Sequence, residues 1–506
     1  MGRAPRRISI GLALAATLAS AACGTTVSTT GSSTSSVSGS LTAPNPGASA
    51  VGGSGAPGAI TGTTGITGTT TGGTVGGVGS SAATTTGYSG ATSTAAGGPA
   101  GLVPAAAPGV TAKNVFIGIP YSSQGAAGDK EIGAAGAAPS YDERDVFNAV
   151  ITYANAHGGF AGRQLQALYY DFNLTDDAST QDQSACAHWT QDNKVFSIYT
   201  ATETILDACM EKEGGIPIGQ GPITTYQQFP HLVNPDDTRL DRLGAVTVNG
   251  LYRAHYFTGK LGLVTWDDPL YRYTIAHGYL PALQSHGLTP TQTAYISVPQ
   301  QIGALGDMTA AVSSTITKFR SLGIDHVIIQ DGPAGVWSGT GLTFEWMNQA
   351  DSQHYYPRYG QNAENSPGWD VLPADQMDHA LAINDVDVDP KFDVGWHTNR
   401  ARQLCFTIQA KAGLPVSSSN ENDEGIAAVA CDIVFFLQRT LNSLSFVNAD
   451  NFIRAVAGFN TSFQSALIYG TKMFPGRRDG GDMMRTEEYY ASCKCLKFQG
   501  QPYWAD

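Results

Sequence analysis

From Gly24 to Ala112 the chain carries no Asp, Glu, Lys or Arg. The stretch is Gly, Ser, Thr, Ala and a few prolines, as in Thr63-Thr64-Gly65-Ile66-Thr67-Gly68-Thr69-Thr70. No strand-like or helix-like hydrophobic period runs through it. Such a composition cannot bury enough apolar surface to offset its chain entropy. It predicts a flexible coil whose ends lie roughly 50 Å apart. Folding is therefore expected only after residue 112. The coil serves either as a tether holding a globular head off a membrane or as a dispensable low-complexity insert.

The residues before it read as an address. Arg3, Arg6 and Arg7 form a positive n-region, Ile8 to Leu18 is a mostly apolar run, and Ala19-Ser20-Ala21-Ala22 precedes Cys23. The run is too short to span a bilayer comfortably, and the order is that of a secretory signal peptide. A cysteine directly after small residues resembles a bacterial lipobox, in which the thiol of Cys23 receives diacylglycerol. The alternative is ordinary cleavage after Ala22. Of 506 residues, 29 are basic and 42 acidic, a net charge of −13. Without the three leader arginines the balance is 26 against 42, or −16. That excess argues against nucleic acid and against charge-driven adhesion to anionic lipid. Of the seven cysteines, six remain once Cys23 is set aside. An even count in an exported chain points to disulfides.

After Lys113 the texture changes to alternating strands and helices. Val115 to Pro120, Leu165 to Asp171, Val195 to Tyr199 and Ile216 to Ile218 read as strands. Helices are predicted over 141–157, where Val146, Phe147, Val150, Ile151 and Ala154 share a face, and over 179–193 and 203–213. The rhythm restarts with strands at 261–265, 293–298 and 325–330, interleaved with helices at 271–286, 308–322 and 342–349. Further helices are expected at 400–412, 425–443 and 451–456. Two separate α/β units with mostly parallel sheets follow from this order.

The run Ala154-Asn155-Ala156-His157-Gly158-Gly159-Phe160-Ala161-Gly162-Arg163-Gln164-Leu165, with its strand ending in Tyr170-Asp171, resembles type I periplasmic solute-binding proteins. More narrowly it looks like the branched-chain amino-acid-binding group of ABC importers. Val195 to Tyr199, followed by Thr200-Ala201-Thr202, stands where that family places its first ligand loop. Cys186 and Cys209 flank this strand and match a disulfide of many members. Phe474-Pro475-Gly476-Arg477-Arg478-Asp479-Gly480 and Cys493-Lys494-Cys495 look like an actinobacterial-type branch. The resemblance implies two Rossmann-like lobes joined by a hinge that the chain crosses three times. With the signal peptide over 1–22 and the lipidated Cys23 and tether over 23–112 read above, it implies a first part of lobe 1 over 113–249. A first part of lobe 2 over 250–365 and return segments over 366–506 complete the chain. Six cysteines allow 15 pairings; with export, a second disulfide between Cys405 and Cys431 is the expected one, leaving Cys493 and Cys495 to pair with each other or stay as thiols.

Ligands of open parallel sheets sit outside the carboxyl ends of the strands, and two facing lobes close on a solute by hinge motion. Strand ends therefore name the candidates. In lobe 1 these are Tyr121, Ser122, Ser123 and Gln124, then Thr200, Ala201 and Thr202, then Gln220. In lobe 2 they are Asp267 and Tyr271, with Trp266 and Asp268 alongside, then Asp331 and Gly332, with Trp337 close behind. Hydroxyls and backbone N–H groups suit a carboxylate; an acidic residue would receive an ammonium, and aromatics would close over an apolar group or a cation. Each has a structural alternative: Ser122 and Thr202 as helix caps, Asp267 as a helix start, Trp337 as core.

No Gly-x-Ser-x-Gly elbow in a strand–helix context, no His-Glu-x-x-His and no Walker loop occurs, and the ten histidines are scattered. Asp387 and Asp389 do not complete a calcium loop. The expectation is a non-enzyme without metal or cofactor, anchored outside the cell membrane as a lipoprotein. It would capture a small polar solute, an amino acid or related amide, and deliver it to an ABC permease. The alternatives are a sensor using the same cleft and a cell-envelope interaction protein whose cleft is degenerate.

Overall fold

A computed structural model describes residues 101–124, 141–173, 175–335, 341–362, 372–386, 399–416 and 421–505. The leader, Cys23, the tether up to residue 100, Trp337, Asp387 and Asp389 lie outside the described residues.

The first unit opens with strand β1 (Asn114–Tyr121), helix α1 (Glu143–Ala156) and β2 (Gln164–Asp171). It continues through α2 (Ala178–Ala187), β3 (Ser197–Ala201), α3 (Thr204–Glu213), β4 (Ile216–Gly219) and the short α4 (Ile223–Gln228). The four strands are parallel in the order β2-β1-β3-β4. Side chains alternate across a strand, so the sheet presents two apolar faces. Val115, Ile117 and Ile119 of β1 join Val146, Phe147, Val150 and Ile151 of α1 in one core. Leu168 and Ile198 look the other way, onto Trp189, Leu206 and Met210. Gly118 is required there: a Cβ would come 2.8 Å from the Trp189 ring. Asp142 caps α1 by accepting from the Arg144 N–H, which satisfies one of its unpaired N-terminal donors.

The second unit begins with α5 (Leu240–Arg253) and β5 (Leu261–Trp266). Next come α6 (Pro269–Thr274) and α7 (Leu280–Ser285), joined by a π-helical turn over Ile275–Tyr279. Then come β6 (Gln292–Ile296), α8 (Leu305–Ser321), β7 (His326–Gln330), α9 (Gly341–Ser352), β8 (Arg358–Asn362), α10 (Ala374–Met377) and β9 (Leu381–Asn384). The chain next forms α11 (Arg400–Lys411), α12 (Glu421–Asn442) and α13 (Ala449–Ala457), and ends in the hairpin β10 (Met483–Tyr490) and β11 (Cys495–Trp504). The second sheet runs β11-β10-β9-β8-β7-β5-β6. Its β6, β5, β7, β8 and β9 are parallel, while β10 is antiparallel to both neighbours. Val264, Val327 and Ile329 face Val312, Ile316, Phe319 and Trp346 of α8 and α9. Leu263, Ile328, Leu381 and Ile383 face Leu243, Leu251, Tyr279 and Leu283 on the opposite side.

One expected lobe boundary shifts. Residues of α5 pack in the second core, so the first crossing ends before Leu240 rather than at residue 249. β9 also belongs to the second sheet, whereas α11, α12 and α13 return to the first core through Cys405, Ile433, Phe436 and Phe452. The chain thus passes between lobes three times: before α5, between β9 and α11, and between α13 and β10. Disulfides join Cys186 to Cys209, Cys405 to Cys431 and Cys493 to Cys495.

The turn that carried the family resemblance is built by side chains. Asn155 donates Nδ2 to the Leu165 carbonyl (2.9 Å) and accepts from the Leu165 N–H (2.8 Å). The buried Arg163 guanidinium donates to the carbonyls of Thr111, Ala161 and Val103 at 2.6, 2.8 and 2.7 Å. It thereby fastens the segment before β1 onto the lobe, so residues 103–111, expected to belong to the flexible tether, are part of the folded first unit, held also by the Ala105–Val447 bridge.

Candidate functional site

Parallel register aligns the strand ends of each lobe. Ile117 pairs with Ser197, and Ala201 with Gly219, so Tyr121–Gln124, Thr200–Thr202 and Gln220 share one sheet edge. In lobe 2, Thr265 pairs with Gln330 and Trp266 with Ile296, which brings Asp267, Tyr271, Asp331 and Gly332 to a second edge. The two edges meet at the Pro333 carbonyl. It accepts the Thr202 hydroxyl from lobe 1 at 2.9 Å and the Tyr271 hydroxyl from lobe 2 at 2.8 Å. A second strap lies nearby, where the Ala178 N–H at the start of α2 donates to the Gln300 carbonyl after β6 (3.0 Å).

The remaining candidates have distinct surroundings. Thr200 is buried and donates to Asp207 Oδ1 (2.7 Å) and the Ile218 carbonyl (3.1 Å). Ala201 has a positive φ of 48°, the left-handed region that a side chain adopts only under constraint. Gln220 is buried and donates Nε2 to the Thr238 carbonyl (2.8 Å). Asp331 is fully buried; Trp266 Nε1, the Gly332 N–H and the Thr343 N–H donate to its carboxylate at 2.9, 2.9 and 2.7 Å. Burial pushes its carboxyl up to about 7 in spite of those donors. Asp331 thus organises the loop after β7. Asp267 lies at the rim, paired with Arg272 (2.5 Å), which holds its carboxyl below the usual range. Asp268 caps α6 through the Leu270 N–H, so the helix start belongs to it rather than to Asp267. On the lobe 1 edge, the Ser123 backbone N–H and hydroxyl donate to Asp171 (2.9 and 2.8 Å). Ser122 Oγ accepts the Gln124 N–H (3.2 Å), and the Arg144 guanidinium lies 4.2 Å from the Tyr121 ring centre.

Sequence reasoning passed over a group of carboxyls at this junction. Asp182 on α2 and Glu203 before α3 are hydrogen-bonded to each other, and both titrate above the ordinary carboxyl range. Burial is the first cause for each; for Glu203 the neighbouring charge of Asp182 follows, with smaller contributions from Asp207 and Asp268. Asp268 faces this group from the other lobe and is itself raised, chiefly by burial. Asp207, fully buried beneath Thr200, is pushed up to about 8 by burial. The one signal in the sequence was Glu203 directly following the Thr200-Ala201-Thr202 loop. Among the described residues no group of three or more His, Cys, Asp or Glu side chains could hold a metal ion. Among them, too, no helix is long and apolar enough to cross a membrane.

The hinge below the junction is cross-braced. Asn234 and Asp479 form a parallel bridge between the first and third crossings, and the Gly480 N–H donates to the Asn234 carbonyl (2.7 Å). The second crossing joins through Thr238 Oγ1 to Asp385 Oδ2 (2.8 Å) and the Tyr469 N–H to the Asp385 carbonyl (2.9 Å). A buried ion cluster completes it: Arg242 holds Asp479 (2.8 Å) and Asp482 (3.2 Å), and Arg477 holds Asp482 (2.6 Å). Gly480 and Gly481 permit this closeness, since a Cβ there would overlap the Pro235 carbonyl and the Thr238 hydroxyl respectively. The segment 474–480, singled out in the sequence, is therefore part of the third crossing.

Two α/β lobes, sheet edges face to face and three crossings between them make this the type I periplasmic binding protein fold. The chain is similar to a branched-chain amino acid ABC transporter protein from Thermus thermophilus solved with bound valine. That likeness has 13% identity and a TM-score of 0.56, and covers 78% of this chain and 96% of that one. A fatty acid ABC transporter substrate-binding protein from Thermomonospora curvata is similar at 14% identity and a TM-score of 0.56, covering 79% and 95%. A solute-binding protein of an ABC transporter from R. palustris, in complex with 4-hydroxybenzoate, matches at 9% identity and a TM-score of 0.55, covering 78% and 97%. No family model and no curated protein matches the sequence. At these identities the shared property is the fold.

Proposed function

We propose that this chain is an extracytoplasmic solute-binding protein, not an enzyme, that delivers a small polar molecule to an ABC permease. The observation that carries the reading is the shared Pro333 carbonyl, where hydroxyls from both lobes converge on one atom. Such a junction breaks and reforms as the lobes open and close, which is what capture in an interlobe cleft requires. The ligand class we propose is an amino acid or related amide, whose ammonium or N–H groups would face Glu203, Asp268 and Asp267 while Thr202 and Tyr271 gate entry. Of the other candidates, Tyr121, Ser122, Ser123 and Gln124 line the free rim, and Thr200, Ala201, Gln220, Asp331 and Gly332 shape the loops behind it. The lipid anchor on Cys23 and the tether would hold the head beside the membrane subunits.

One observation favours a second reading, a degenerate cleft. The hydroxyls of Thr202 and Tyr271 and the carboxylate of Asp331 are all engaged within the protein. A panel of amino acids, amides, sugars, polyols, aromatic acids and fatty acids separates the two by thermal shift, since a ligand that binds only the folded state raises the melting temperature. The transport reading expects one class to stabilise the protein and Thr202→Ala to change that shift. A panel in which nothing shifts the melt favours the degenerate cleft.

A further inference from the structure

A cavity of about 480 Å³ lies on the hinge side of α4, and none of the strand-end residues lines it. Its walls come from separate parts of the chain. Ile223, Tyr226 and Pro230 belong to lobe 1, Arg239 closes the first crossing, and Arg478 belongs to the third. The volume is in the range of small-molecule sites. Ile223, Pro230 and the Tyr226 ring make an apolar wall. The Arg478 guanidinium stands 5.6 Å from the centre of that ring, and the carbonyls of Tyr226, Phe229 and Pro230 hold it in place.

The polar groups of the cavity are unequally engaged. Asp479 also lines it, but that carboxylate is nearly inaccessible and already paired with Arg242. Arg239 differs. Its Nε is clamped by both oxygens of Asp241, at 3.0 and 3.2 Å, and Asp241 is itself fixed by the Ile223 N–H (2.9 Å). The two terminal nitrogens of Arg239 have no hydrogen-bond partner among the described residues. The guanidinium is thus oriented by its inner edge while its outer donors remain unused. A planar fork of this kind matches a carboxylate, with two parallel N–H···O bonds.

We propose that this hinge-side cavity is a second ligand site, separate from the interlobe cleft, for a small monocarboxylate with a compact apolar body. The carboxylate pairs with Arg239, and the body packs on Ile223, Pro230 and Tyr226. Because the walls belong to one lobe and two crossings, occupancy favours whichever hinge geometry keeps them together. It therefore couples to the opening of the cleft. The proposal stands whether or not the cleft binds a solute.

The test is calorimetric titration of the full chain with benzoate, using benzamide as the uncharged isostere. Benzoate should bind saturably, and benzamide about tenfold more weakly or worse. Arg239→Gln should weaken benzoate by about tenfold. Gln227→Trp, at an exposed lining position, should fill the cavity and abolish binding, while Thr202→Ala, which removes an interlobe hydrogen bond, changes the affinity only through the hinge and does not abolish it. Absence of benzoate binding, equal binding of benzamide, or wild-type affinity in Arg239→Gln overturns the proposal. Loss of binding in Thr202→Ala also overturns it, because that would place benzoate in the cleft. A measurement on the unaltered chain guards against misfolded variants. The Ile223 methyl resonance must move on benzoate addition, and an unmoved resonance overturns the site.

Discussion

Asp207 shows how burial rather than partnership sets the chemistry of a side chain here. Thr200 donates to one of its oxygens, and burial raises its carboxyl to about 8. A carboxyl whose folded pKa is raised binds its proton more tightly in the folded state than in the unfolded one. Its stabilising contribution is complete below the unfolded value near 3.8 and is lost as pH rises through about 8. Asp207→Asn keeps an acceptor for Thr200 and removes the titration. Relative to wild type, the variant should gain about 2 kcal/mol or more between pH 5 and pH 8. Denaturant unfolding at the two pH values measures this, and a parallel pH dependence in both proteins would contradict it. The raised pair Asp182 and Glu203 predicts a further effect. A cationic solute held beside them should displace a proton near neutral pH, visible as a buffer-dependent heat of binding.

At the scale of elements, long apolar periods were legible and polar strands were not. β1, β3, β5 and β7 announce themselves by β-branched runs, and α1 by five apolar residues on one face. The hairpin β10–β11 escaped notice because Thr486-Glu487-Glu488 interrupts β10 and Lys497, Gln499 and Gln501 interrupt β11. Its ladder is held by antiparallel backbone pairing, a non-local feature that no local pattern reports. The strand-end rule named residues that the parallel registers align along two sheet edges. It did not show which residues would spend their polar groups on the protein itself, since Thr202 and Pro333 are 131 positions apart. The disulfides act at this same scale by tying helix to helix: α2 to α3 and α11 to α12. Replacing Cys186 and Cys209 with serine should cost about 3 kcal/mol, the value expected for a loop of this length. Thermal melts with and without reductant check it, and an unaltered melt would count against a stabilising bridge.

For the whole molecule, the hinge carries a buried ion cluster. Arg242 and Arg477 both pair with Asp479 and Asp482 beneath the junction, and both carboxylates are almost completely buried. Arg242→Leu strips a charge from that cluster and should destabilise the protein by about 3–5 kcal/mol. Urea unfolding reads the loss directly, and a change below about 1 kcal/mol would mean that Arg477 and Lys472 suffice.

The bracing of the first crossing to the third, with Asp385 of the second hydrogen-bonded to both, also limits how the halves can travel. Three independent cords would allow twisting, sliding and bending in any mixture. A laced ribbon resists shear along its length, so its easiest deformation is flexure about one line across it. The lobes then have a single dominant degree of freedom; on the proposed function, a membrane partner docked across both would read one angle.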